Sequence, residues 1–358
     1  MAILIAGIGT AVPPNRIRQE DAAEIAQQYA CENEAQSRLF KRIYRGAGVT
    51  TRHSVVLQTS EGELQSRQSF YGESDPTTRD RMLRYEDEAI ALALAAGEKA
   101  CRDAEISPDR VTHLVTVSCS GFYAPGFDIA LIKRLGLSNR VSRTQVGFMG
   151  CHGMLNGLRV ARAFLDQDPA ACVLLVALEM CSLHHQYGWD SDRIVANALF
   201  ADGAAAVLGV VGEAASPGVY QHVASGSMVI DDSEDAMSWR IGDNGFVMTL
   251  SPRVPELITR NIRSYLDGWL ARYGLDLDRV GSWAVHPGGP RILSAFAEAT
   301  GFGRERLKVS HEILAEYGNM SSPTVMFIIE RMRQLKAPRP IVALAFGPGL
   351  AVESALLV

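Results

Sequence analysis

Three residues stand where an apolar strand pattern gives out and a turn or helix begins, and their types can make and break bonds. Cys151 lies in Phe148-Met149-Gly150-Cys151-His152-Gly153, ahead of the helical spacing of Met154, Leu158, Ala161 and Leu165. A thiol at a helix start feels the positive end of the helix dipole, which favours the nucleophilic thiolate. Glycines on either side let a substrate approach the backbone closely. The competing interpretation is a buried small hydrophobe, the usual fate of a free cysteine. His286, in Trp283-Ala284-Val285-His286-Pro287-Gly288-Gly289-Pro290, ends a strand in a turn fixed by two prolines and two glycines. Sites of α/β proteins lie at such strand ends, although a lone ring there is often only a satisfied polar group. Asn319, in Glu316-Tyr317-Gly318-Asn319-Met320-Ser321-Ser322-Pro323, serves equally well as a turn or cap residue before a helix starting at Pro323. Together the three supply a nucleophile and two hydrogen-bond donors.

Two kinds of enzyme use that set. A papain-like protease has the same chain order, and His286 follows Cys151 by 135 residues, so spacing alone allows it. The mid-chain cysteine, the missing C-G-S-C-W signature and the alternating α/β pattern exclude it. The other kind forms carbon–carbon bonds on an acyl-cysteine. Gly7-Ile8-Gly9 suggests a nucleotide-binding loop, but Val12 occupies the third glycine's place and no acidic residue follows at the required distance.

The elements that must position these residues alternate along the chain. Strands are expected at Ile3–Gly7, Thr112–Val117, Thr144–Phe148, Cys172–Ala177, Ala204–Val210, Ser282–Val285, Ile341–Phe346 and Ala351–Leu357. Helices are expected at Gln19–Ala30, Tyr85–Ala104, His152–Asp166, Pro255–Tyr273, Pro290–Ala299 and Pro323–Leu335, which makes the class α/β. Asp80 to Arg84 should lead into the Tyr85 helix with their charges in solvent. Gln58 to Arg81 reads as a polar surface excursion, and Glu213 to Gly218 as the join between halves.

Composition narrows the class. With 358 residues, 47 % hydrophobic and 21 % charged, the chain can fill a large core. A net charge of −5 without a basic block argues against nucleic acid. No two of the six cysteines are spaced C-x-x-C, so reduced intracellular thiols are expected rather than disulfides or zinc. The apolar start, Met1 to Val12, has no basic flank and runs into Pro13-Pro14, as a buried strand would. No apolar run reaches the roughly 18 residues of a membrane span. A cytoplasmic protein without membrane insertion follows.

Ordered blocks along nearly the whole chain resemble the chalcone and stilbene synthase family, the type III polyketide synthases, in a bacterial-type form. They are Arg52-His53 after Gly48-Val49, Ser120-Gly121 with Pro125-Gly126, Gly150-Cys151, Ala198-Leu199-Phe200-Ala201-Asp202-Gly203-Ala204-Ala205-Ala206, His286-Pro287-Gly288-Gly289-Pro290, Tyr317-Gly318-Asn319-Met320-Ser321-Ser322 and Phe346-Gly347-Pro348-Gly349. The resemblance implies a thiolase-like fold of two pseudo-duplicated halves, 1–215 and 216–358, in an αβαβα layering. It implies an acyltransferase with no cofactor and no metal, acting on a starter acyl-CoA and malonyl-CoA. Cys151 would carry the acyl chain, and His286 would pair with the thiolate and keep it ionised. His286 and Asn319 would stabilise the enolate formed as malonyl-CoA loses carbon dioxide. The cycle then repeats and the product cyclises.

Other roles are carried over with the resemblance. Cys119, Leu183, His184, Trp239, Phe246, Met248, Phe346 and Gly347 would line the substrate pocket. Met248 replaces a usual phenylalanine at the gate, and Trp239 fills a position that is small in plant enzymes. The pair His184-His185 is pocket lining or surface rather than a metal site. Lys41, Arg42, Arg45, Gly288 and Gly289 would bind coenzyme A, although only Arg42 falls on a position basic in plant enzymes. Ala124 replaces a methionine that reaches into the partner's cavity, so a homodimer is implied. The alternatives are a single-condensation ketoacyl synthase III acting with a carrier protein, and a silent scaffold. The expected product is an alkylpyrone or alkylresorcinol from an aliphatic starter, or else a small malonyl-primed phenolic such as a tetrahydroxynaphthalene, which Cys119 would suit.

Overall fold

The computed structural model describes residues 2–213 and 219–358. All eight expected strands form, and with Tyr220–Val229 they build a nine-stranded mixed sheet. Its order is Ser282–Val285, Ile341–Gly347, Ala351–Leu357, Tyr220–Val229, Ala2–Ala11, Asp202–Gly212, Cys172–Met180, His113–Ser118, Ser142–Gly147. The same scheme occurs twice. In each half the first strand pairs antiparallel with the last, the last with the one before it, and that one lies parallel to an earlier strand. The two half-sheets meet through Leu4↔Gln221 and Ile5↔Tyr220. The expected boundary at 215/216 lies outside the described residues.

Helices Gly153–Gln167 and Thr324–Gln334 form the middle layer, where Met154, Leu158, Val325 and Ile328 pack with Ile5, Val117 and Ala343. Thr78–Asp103 and Phe127–Leu135 cover the outer face of the first half. Val254–Ala271 and Pro290–Thr300 cover that of the second, completing the αβαβα layering.

Gly7 and Gly9 have a packing explanation rather than a nucleotide. A Cβ on either would collide with the backbone of the Thr78–Asp103 helix, at Ala100 and Ala96 respectively, so the glycines let helix and strand touch. That helix starts earlier than expected, at Thr78, with a Thr77/Asp80 capping box. Arg81 is not in solvent as expected but fully buried, and its guanidinium donates to the carbonyls of Pro76, Leu183 and His185 and pairs with Asp75. Burying a guanidinium is tolerable only with such a set of partners. Sequence periodicity also misses the hairpin Met237–Gly242/Gly245–Leu250 and the helices Glu34–Gly46, Phe127–Leu135, Ser191–Leu199 and Lys308–Tyr317.

Candidate active site

Cys151 sits in a 3₁₀ turn, Gly150–His152, that runs into the Gly153–Gln167 helix. Gly150 has φ +76°, and a Cβ there would strike Pro348 of the C-terminal Gly-Pro-Gly loop. Glycine leaves the space this point needs: the loop closes directly over the nucleophile's turn. His286 leaves the end of the Ser282–Val285 strand, its N–H donating to Leu344 O at 2.7 Å. Asn319 follows the Lys308–Tyr317 helix and is held through its backbone, its N–H on Leu199 O and its O on Ala201 N–H, each at 2.9 Å. Its Oδ1 accepts from Ser321 N–H at 2.8 Å, while Nδ2 makes one long bond, 3.4 Å, to Gly288 O. An amide nitrogen carries two donors, so one remains for a substrate oxygen. All three residues are buried.

The electrostatics depart from the thiolate expected at a helix start. Burial pushes the Cys151 thiol up to about 11, with Glu179 adding to the rise and Ser321 and Asn319 opposing it as hydrogen-bonding groups. Burial also drives His286 down to about 3, and His152 adds to that shift. Burial thus works against separate ions at both groups, because desolvating a charge is costly. Neither His286 nitrogen bonds to any group among the described residues.

Glu179 is next to last in the otherwise apolar Cys172–Met180 strand and is wholly buried. It accepts from the N–H of Cys119 and of Ser120 and from the hydroxyls of Ser120 and Ser322, the last at 2.6 Å. Burial pushes its carboxyl above the usual range, and the Ser120, Ser322 and Cys119 bonds oppose this. Sequence analysis overlooked it, though a carboxylate closing a fully buried strand was a usable signal. Cys119 shares the Cys151 pocket, where its Sγ accepts from Gly150 N–H at 3.1 Å. Burial and Glu179 push this thiol well above its ordinary value, so it stays protonated.

Beyond Cys151 the pocket meets an aromatic wall. His184 donates from Nε2 to Ser120 O (2.7 Å) and accepts at Nδ1 from Phe246 N–H (2.9 Å), which commits both nitrogens and leaves none for a metal. Its ring stacks on Phe246 at 4.2 Å, with Trp239 edge-on at 5.3 Å. Trp239 Nε1 donates to Cys119 O at 2.8 Å, pinning the 237–250 hairpin to the nucleophile's pocket. Behind this wall lies a largely apolar chamber, partly open to solvent, lined by Ile17, Ile25, Tyr29, Val56, Leu57 and Tyr71 among others. Cys181, Phe200, Trp239 and Met248 line both spaces, so these four side chains separate the chamber from Cys151. Phe200, quoted above only within a sequence block, is thus a wall residue.

A third cavity, open to solvent, reaches the site from the other side, lined by Ile43, Gly46, Ala47, Leu199, Gly288, Gly289 and Arg291. Its inner residues Leu199 and Gly288 are those that bond Asn319. Lys41, Arg42 and Arg45 do not line it, though Arg42 lies one turn before Gly46 on the same helix face. Arg291 does line it, and sequence analysis missed it. Ala124 is exposed, away from these cavities. Leu183 is core, and its carbonyl serves Arg81. Phe346 packs in the core of the second half, Gly347 lies against the His152 ring, and it is Pro348 that lines the Cys151 pocket.

Comparisons with known proteins agree across the chain. The family described as chalcone and stilbene synthases matches with its N-terminal domain at residues 1–214 and its C-terminal domain at 221–358. An alpha-pyrone synthesis polyketide synthase-like protein, Pks18, of Mycobacterium tuberculosis is 32% identical over 99% of this chain and 90% of its own. A 1,3,6,8-tetrahydroxynaphthalene synthase of Streptomyces peucetius is also 32% identical, over 99% of this chain and 92% of its own. The crystal structure of PKS-I from the brown alga Ectocarpus siliculosus superposes with a TM-score of 0.94 at 30% identity, covering 99% of this chain and 98% of the other.

Proposed function

The chain belongs to the chalcone and stilbene synthase family and is a type III polyketide synthase, and on that premise we propose that it extends an aliphatic acyl-CoA with malonyl-CoA units to an alkylpyrone or alkylresorcinol. The observation that carries the choice of starter is the largely apolar chamber behind Trp239 and Met248, whose lining suits an alkyl chain better than a charged malonyl group. A malonyl-primed phenolic is the second reading, favoured by Cys119 beside Cys151, but a thiol held protonated is a poor second nucleophile.

In this scheme His286 takes the Cys151 proton as the sulfur attacks the starter thioester, and coenzyme A leaves. Malonyl-CoA then enters past Gly288 and Gly289, and its phosphates meet Arg291 on the cavity wall and Arg42 one helical turn outside it. Loss of carbon dioxide puts negative charge on the thioester oxygen, where His286 and the free Asn319 N–H donate. The enolate carbon attacks the acyl-Cys151 carbonyl, and the sulfur leaves. The thioester itself is the electron sink, so the scheme needs neither a metal nor an organic cofactor. No helix among the described residues is long and apolar enough to cross a membrane, and the site of action proposed is the cytoplasm. A homodimer is part of the proposal: Phe122, Phe148 and Met149 are exposed apolar side chains near Ala124, beside the sheet's edge strand Ser142–Gly147. Sedimentation as a single 38.9 kDa species would sink the dimer.

The test is incubation with malonyl-CoA and starters from malonyl and acetyl through C6–C16 to aromatic CoA thioesters, read by mass spectrometry. Products spaced by malonate-derived units, greatest with aliphatic starters and lost in Cys151→Ala, are expected. Malonyl-CoA alone giving the main product would install the phenolic reading. A single extension, or dependence on a carrier protein, would favour the ketoacyl synthase.

A further inference from the structure

One polar atom in the wall of the chamber serves no protein group. His184 spends both ring nitrogens on its neighbours, but Nε2 of the next residue, His185, is buried and bonds to no group among the described residues. The His185 backbone is held on both sides. Its N–H donates to the Tyr71 hydroxyl at 3.3 Å, and its carbonyl accepts from Arg81 at 2.9 Å. The ring lines the chamber, packed against Tyr71 at 5.4 Å and Tyr29 at 5.9 Å between centroids. Neither hydroxyl donates to it: Tyr29 donates to Tyr71 O and Tyr71 to Ser182 O.

A second such atom belongs to the same lining. Arg52 is buried at the end of the Ser191–Leu199 helix, where its two terminal nitrogens donate to the carbonyls of Asn197, Ala198 and Phe200 and to the Gln19 side chain. Its Nε bonds to no group among the described residues, and Arg52 lines the chamber together with His185. Around them the lining is apolar, with Ile17, Ile25, Val56 and Leu57. A buried polar atom without a partner is destabilising by the full desolvation of that atom. Two of them in the wall of a chamber for plain hydrocarbon would be two defects, and native proteins keep such groups where something binds them.

We propose that the chamber selects a starter whose acyl chain carries a hydroxyl group on its distal part, bound by His185 and Arg52. The inference rests on the acyl-CoA reading of the chamber and narrows it to hydroxyacyl chains. The oxygen belongs to the starter rather than to the growing polyketone. New ketones form beside Cys151, on the near side of Cys181, Phe200, Trp239 and Met248. A carboxylate is the wrong group for this wall. Both terminal nitrogens of Arg52 are taken, so the two-pronged grip on a carboxylate is lost, and Asp202 already bears on Arg52 with a negative charge. Burial drives His185 down to about 3, so the ring is neutral and Nε2 is either a donor or an acceptor. A hydroxyl suits both forms: it accepts from Arg52 Nε–H and either donates to His185 or accepts from it. A ketone can only accept.

The test sets a plain acyl-CoA against its hydroxylated twin of equal length in one tube with malonyl-CoA, and reads the product ratio by mass spectrometry. The hydroxyl is moved from the middle carbon to the last across the C6–C16 series. In the wild type, one range of positions should be preferred over the plain chain by about tenfold or more. His185→Phe keeps an aromatic ring beside Tyr29 and Tyr71 but removes both nitrogens. It should bring that ratio close to one while the use of plain chains holds or rises. Decarboxylation of malonyl-CoA without a starter, which His185 does not touch, reports that the variant is folded; if it is not, His185→Leu decides by the same ratio. A wild-type ratio near one at every hydroxyl position overturns the proposal before any variant is made. A preference that survives loss of the imidazole overturns it as well. If no acyl chain of either kind is extended, the acyl-CoA reading falls and this inference with it, whereas a plain chain used as well as its twin sinks the inference alone.

Discussion

The two sides of the Cys151 pocket are built on different principles. On the catalytic side, each side chain hangs from the end of a core element, and neighbouring backbone holds it: His286 through Leu344 in a central strand, Asn319 through Leu199 and Ala201 at the end of the Ser191–Leu199 helix. Glu179 ties the Cys119–Ser120 turn to Ser322 across the two halves. On the chamber side, the wall is a two-stranded hairpin outside the main sheet, attached by side-chain bonds from Trp239 and His184. A reacting centre needs geometry held to a fraction of an ångström, and the sheet supplies it. A specificity wall needs only volume and can be changed one side chain at a time. The difference teaches that chemistry and substrate choice should come apart under mutation.

The largest break comes on the catalytic side. Asn319→Asp keeps the Oδ1 bond to Ser321 N–H and the side chain's shape, but it removes the donor and adds a charge where the enolate forms. Malonyl-CoA decarboxylation should fall about 100- to 1,000-fold. The ranking of starters in the residual product should not change. A loss of only a few-fold would mean that another donor carries the enolate, and the division of labour described above would fail on its firmer side.

The same division decides what was legible in the sequence. Cys151, His286 and Asn319 stand where one periodicity stops and another begins, and turn glycines and prolines surround them, so both position and chemistry show in the letters. Seven of the nine strands of the main sheet are largely apolar runs long enough to see, the exposed Ser142–Gly147 shows only in its second half, and the partly exposed Tyr220–Val229 does not show. The wall hairpin reads Met-Ser-Trp-Arg-Ile-Gly and Gly-Phe-Val-Met-Thr-Leu, two short segments whose burial follows the hairpin's docking rather than a strict alternation. Trp239 and Met248 were legible as positions in a family, but no local pattern says that they and Phe200 divide two cavities. Arg81 and Glu179 were hidden for another reason: a charge reads as surface until the carbonyls and hydroxyls that satisfy it are known. Asp75 and Pro76 are near Arg81 in sequence, but the other partners lie roughly 60 to 140 residues away, beyond the reach of any local pattern.

The smaller effect lies on the wall and sharpens the comparison from the other direction. Trp239→Leu gives up the bond to Cys119 O and lowers the partition between pocket and chamber. Because a methylene group in an apolar pocket is worth about tenfold or more in discrimination, preference should move toward longer starters by roughly that factor. Decarboxylation of malonyl-CoA without a starter should stay within a few-fold of wild type, since no group bonded to Asn319 is touched and Cys119 keeps its N–H on Glu179. Competition between paired starters in one tube, read as a product ratio, measures the shift without separating binding from rate. A changed ratio with intact decarboxylation means that the hairpin sets the chain length admitted. If decarboxylation collapsed as well, the Trp239–Cys119 bond would be holding the nucleophile's pocket in shape, and the wall would belong to the catalytic machinery.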